Sequence, residues 1–165
     1  MHYQNLGMHA LYIDESNDHV AIIMGKEEII KELNQMLQRI EGKPVHMRES
    51  KAGTKLKIIR HFLRLIEQLY MEEKIWLISK NQDEAFDWLG KYFIKVFKSR
   101  ATLTVFVDEG LDLKIKGRIH SLYLRPITIY VDKSKVQCAD VLSWINVKKN
   151  RVNSIWEKIS NYLLE

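Results

Sequence analysis

The sequence predicts one α/β domain over residues 1–165, a mixed sheet of about five strands flanked by helices. Segments of strand periodicity alternate with segments of helical periodicity along the chain. The chain is 46% apolar and 28% charged, close to the globular average and long enough to bury a core. Two of its most apolar strand segments also end alike, in Asp14-Glu15 and Asp108-Glu109.

In order, His9–Asp14 is a nearly continuous apolar run, as expected of a central strand buried on both faces. Val20–Gly25 follows after turn-forming residues, so the two make a hairpin. Lys26–Ile40 carries Ile29, Leu33, Met36, Leu37 and Ile40 at helical spacing, with Gly42 as its stop. A longer helix over Thr54–Glu72 presents Leu56, Ile59, Leu63, Ile66 and Tyr70 on one face. Lys74–Lys80 reads as a strand, and Asp83–Lys98 as a helix with Phe86, Leu89, Phe93, Val96 and Phe97. Thr102–Asp108 is a strand, followed by a variable basic segment and a strand at Ile127–Val131. Helices at Val136–Lys148 and Asn153–Leu164, the second capped by Asn153, complete the chain. The two prolines, Pro44 and Pro126, fall between elements.

The single Cys138 excludes an intrachain disulfide and a cysteine-rich zinc site. No apolar run approaches the roughly 20 residues that span a bilayer, and the first residues do not read as a signal peptide, so no membrane partner and a cytoplasmic location are expected. The net charge of +5 is concentrated in one region. Residues 111–165 hold 10 Lys/Arg against 5 Asp/Glu, whereas the first 110 hold 16 of each. That asymmetry suits an anionic partner such as DNA or RNA, and it also suits a surface that is merely soluble and basic.

In sheets of this kind, sites form beyond the carboxyl ends of the strands. A carboxylate at the end of a buried strand is costly unless solvated, paired or bound to a cation. Neighbouring side chains alternate between faces, so each acidic pair offers one member to a shared site. Asp14 and Asp108, which directly follow the last apolar residue of their strands, are the candidates; Glu15 and Glu109 are reserves. On the helix after Val136, Cys138, Val141, Leu142 and Ile145 form the core stripe. Gln137, Asp140, Trp144 and Lys148 form a second one beside it. Convergent carboxylates without His or Cys suit magnesium or manganese, which could support phosphodiester cleavage. Strand-end Asp residues also cap turns and following helices, an alternative that spacing leaves open.

The segments YIDES near the start, VDE at Val107–Glu109 and QCAD at Gln137–Asp140 together resemble the domain-of-unknown-function 3800 family. The resemblance runs from Tyr12 to about Arg151, on motifs that are individually short. It implies a ribonuclease H-like fold in which acids on a first strand, a neighbouring strand and a late helix meet at metal ions. Asn17 departs from the pattern, where members often carry Gly. A further midway acid of the family corresponds by position to Glu49.

Lys57, Arg60, His61 and Arg64 form a basic stripe on the long helix, able to track phosphates or simply to stay solvated. Lys148, Lys149 and Arg151 could hold a phosphate, or complement the negative end of the preceding helix. Trp144 could stack on a base or pack into the core. No glycine-rich phosphate loop and no histidine ligand spacing is present. The expected function is a metal-dependent nuclease; the alternatives are a non-catalytic nucleic-acid-binding or interaction module and, more weakly, a small-molecule phosphohydrolase.

Overall fold

β1 (Ala10–Ser16) and β2 (His19–Gly25) form an antiparallel hairpin whose register runs from Ala10 opposite Gly25 to Ser16 opposite His19. Asn17 turns the chain at φ 53°, a left-handed conformation that Asn tolerates better than most side chains. This accounts for an Asn where the resembling family often places Gly. The computed structural model describes residues 10–98, 102–119 and 127–164. His9, Pro126 and the Phe97 side chain fall outside that description.

β2 pairs on its other side with β3 (Trp76–Asn81), antiparallel. β1 pairs with β4 (Leu103–Val107), and β4 with β5 (Ile127–Val131), both in parallel. The sheet order is therefore β3-β2-β1-β4-β5, with β1 at the centre. This is the mixed five-stranded sheet flanked by helices that the sequence predicts. It sets the first strand beside the fourth, as the ribonuclease H-like resemblance implies.

Alternation along β1 divides the core. Ala10 and Tyr12 face one side, with α1 (Glu27–Glu41), α2 (Ala52–Met71), α5 (Gln137–Val147) and α6 (Asn153–Ser160). Leu11 and Ile13 face the other, with α3 (Gln82–Lys98) and α4 (Leu111–Arg118). Phe62 and Phe93 are fully enclosed on opposite sides of the sheet. Truncating either to Ala costs about 3–5 kcal/mol.

Several elements differ from the sequence reading. α4 occupies what reads as a variable segment. Its apolar residues fall at Leu111, Leu113 and Ile115, an alternation that mimics a strand, but only Leu111 and Ile115 are buried and Leu113 faces solvent. On α2 the buried stripe is Ile58, Ile59, Phe62, Leu63 and Ile66, while Leu56 and Tyr70 lie exposed on its end turns. α1 buries Ile30 and Asn34 beside Leu33 and Leu37, leaving Ile29, Met36 and Ile40 half-buried. Asn34 enters because both ends of its amide are used: it donates to the Lys135 carbonyl at 2.8 Å and accepts from the Cys138 amide at 3.0 Å. Asn153 does not cap α6; Val152 holds that position and no side chain closes it. α6 stops at Ser160, well short of Leu164, because the chain then turns to β3, where the Leu164 amide donates to the Leu77 carbonyl.

Candidate active site

Ile13 pairs in register with Val107, so Asp14 and Asp108 occupy equivalent positions just beyond it on adjacent parallel strands. Two residues earlier, Tyr12 and Phe106 stack with ring centroids 5.1 Å apart on the α5 side of the sheet. Alternation sends the two carboxylates to the same side. Ser16, one step further, is bonded to Ser143 of α5 at 2.9 Å, fixing which helix this end of the strand meets. The two acids share a local geometry. Asp14 Oδ1 accepts the Glu15 amide at 2.8 Å and Asp108 Oδ1 accepts the Glu109 amide at 2.7 Å.

Asp140 lies in the first turn of α5, buried, with Oδ2 accepting the Met47 amide at 2.8 Å. One turn earlier, Gln137 Oε1 accepts the Val45 amide at 2.6 Å and its Nε2 donates to the Ser134 carbonyl at 2.7 Å. Together Gln137 and Asp140 clamp the irregular segment between α1 and α2 onto the start of α5.

Asp14 and Asp140 are both buried, and the three carboxylates lie close enough to repel one another. Burial, then the Asp140 charge, pushes the Asp14 carboxyl from 3.8 up to about 8, with Asp108 adding to the rise. Burial also raises Asp140, partly offset by the Met47 amide and by nearby His46 and Lys133. None of the three has an ion-pair partner among the described residues. The donor chemistry, all carboxylate oxygen and short of positive charge, fits a hard divalent cation. Among the described residues, however, no three His, Cys, Asp or Glu side chains already stand as a closed ligand cluster.

The remaining acids are elsewhere. Glu15 turns to the opposite side of the sheet and pairs with Lys114 of α4 at 2.5 Å. Glu109 is exposed. Glu49 is also exposed, 3.4 Å from His46. Asp132, passed over in the sequence, directly follows β5 as Asp108 directly follows β4: Val107 pairs with Val131, and the Asp132 amide donates to the Val107 carbonyl at 3.0 Å. The YVD ending was the available signal, repeating YID and FVD. Its carboxylate caps the following 3-10 turn (Lys133–Lys135) through the Ser134 amide and hydroxyl. Cys138 is fully buried and burial pushes its thiol up to about 12, which leaves it an inert packing group.

Lys57, Arg60 and Arg64 are exposed on α2. Arg60, Arg64 and Arg151 line a cleft between α2 and α6, and Lys57 lies outside its lining. Lys148 is half-buried, and Lys149 Nζ sits 5.8 Å from the Trp156 ring centre. Trp144 packs half-buried against the core with Lys55 Nζ 5.5 Å from its ring centre, so that cation occupies one ring face. No helix among the described residues is long and apolar enough to cross a membrane.

No protein-family model and no curated protein matches the chain. Among solved structures it is similar to a chain in the structure of the PCNA:RNase HII complex from Archaeoglobus fulgidus. The two share 10% identity at a TM-score of 0.45, over 92% of this chain and 78% of that one.

Proposed function

We propose that the chain is a metal-dependent nuclease that hydrolyses phosphodiester bonds of DNA or RNA, with magnesium or manganese held by Asp14, Asp108 and Asp140. The observation that carries the proposal is electrostatic. Asp14 is buried against two further carboxylates with no cationic side chain paired to it, an arrangement that a divalent ion neutralises. When bound, such ions activate water and stabilise the leaving oxygen. The chain's own contribution is to hold Asp14 and Asp108 side by side on β1 and β4 and to set Asp140 across from them on α5. Gln137 fixes the segment that carries Met47 and so holds Asp140 in place; it is a positioning residue. The Asp14-Glu15 and Gln137/Asp140 motifs, which resemble the domain-of-unknown-function 3800 family, support the same assignment.

A second reading has its own support. Asp140 and Gln137 are already engaged with backbone amides, as they would be in a non-catalytic nucleic-acid-binding module of the same fold. End-labelled single-stranded DNA, RNA and hybrid duplex, incubated with manganese or magnesium, separate the two. The nuclease cleaves at least one of them, and Asp14→Asn or Asp108→Asn lowers the rate at least a hundredfold. Binding that persists in chelator, with none of these substrates cut, selects the module.

A further inference from the structure

We infer that the cleft between α2 and α6 is a docking site for the phosphate backbone of single-stranded nucleic acid, distinct from the carboxylate site and independent of its chemistry. The cleft encloses about 490 Å³, and Arg60, Arg64, Arg151 and Lys158 line it. All four are exposed, and none of their side chains has an ion-pair, hydrogen-bond or aromatic partner among the described residues. Other exposed cations, Lys31 and Arg39 of α1 among them, are also unpaired among the described residues, but these four line one concavity. The only acid in the cleft lining, Glu67, accepts the Tyr162 hydroxyl.

Four like charges gathered around one concavity repel one another and focus a positive potential into it. A polyanion relieves both effects. Arg60 and Arg64 are one helical turn apart on one wall, and Arg151 and Lys158 flank the other. Three of the four are Arg, whose planar fork grips phosphate oxygens in pairs. Of the apolar residues lining the cleft, Leu56 is exposed and can meet a sugar or base face, whereas Leu63 and Ile155 are buried. The α5 helix, 11 residues and so about 16 Å long, separates Asp140 near its start from Arg151 beyond its end.

The test is fluorescence anisotropy of labelled oligothymidylate and oligouridylate with the full chain, in chelator, across a salt series. Chelator silences metal chemistry, so failure here and failure of the nuclease assignment are separate results. Arg64→Gln with Arg151→Gln is expected to weaken binding at least tenfold at low salt. It should also flatten the dependence of log K on log salt by about 0.7 for each contact removed. Lys31→Gln with Arg39→Gln on α1 removes the same charge outside the cleft and is expected to change affinity less than threefold. Lys158→Gln alone, fully on the surface, gives the same reading in miniature should the double variant lose its fold. The inference is overturned if the wild-type chain fails to bind, if the α1 and cleft variants weaken binding equally, or if polyglutamate of matching length competes as well as the oligonucleotide.

Discussion

Replacing Asp14 with Asn removes a buried charge while keeping the oxygen that accepts the Glu15 amide. The Asp14 carboxyl titrates near 8 in the folded chain, against an ordinary 3.8. Its folded value is raised, so below about pH 4 the acid is neutral in both states and has no effect on stability. As pH climbs from there to 8 the unfolded chain ionises freely and the folded chain resists, and stability falls throughout that window. At about 1.36 kcal/mol per pH unit, the full penalty above pH 8 is on the order of 6 kcal/mol. Buried sites respond with an effective dielectric well above that of dry protein, so the expected gain for Asp14→Asn at pH 8 is about 2–4 kcal/mol. For a domain of this size that is a rise of roughly 5–15 °C in Tm. Urea unfolding followed by circular dichroism, in chelator at pH 4.5 and pH 8, measures it. The variant should gain little at the lower pH and most at the higher. A variant no more stable than the wild type at pH 8 would show that the charge is compensated by something other than a metal, and the electrostatic argument for the site would fail.

Two further changes probe the same neighbourhood. Gln137→Ala leaves the buried Val45 amide without an acceptor and should cost about 1–3 kcal/mol in urea unfolding, with faster hydrogen exchange at Val45 and Met47 than in the wild type. Asn34→Ala frees both the Lys135 carbonyl and the Cys138 amide and should cost about 2–4 kcal/mol; Asn34→Asp, which keeps only the acceptor, should recover part of that loss.

The sheet was legible because its strands announce themselves. The apolar runs of β1 and β4 are buried on both faces, and turn residues separate β1 from β2. Helical faces were less legible where tertiary contacts choose among apolar residues: α2 has enough of them that either Leu56 or Ile58 could lead the buried stripe, and only the neighbouring helices decide. α4 was hidden by its period of two. At the site, alternation along a strand offers one acid of each pair to a shared face, and position directly after the last apolar residue picks Asp14 over Glu15 and Asp108 over Glu109. The pairing of Ile13 with Val107, which sets the two Asp side by side, depends on contacts more than ninety residues apart in sequence and left no local mark. The two helical stripes assigned to the QCAD helix proved incomplete, since Ala139, Ser143 and Asn146 are buried as well.

Because α5 is sandwiched between the sheet and the outer helices, it lacks the tolerant, water-facing side that most helices keep. Mutational sensitivity along Gln137–Asn146 should therefore be nearly flat, without the usual rise and fall every three or four positions. The helix bearing one of the candidate ligands behaves as an axle within the domain, and any adjustment that brings Asp140 toward Asp14 must carry the enclosing layers along.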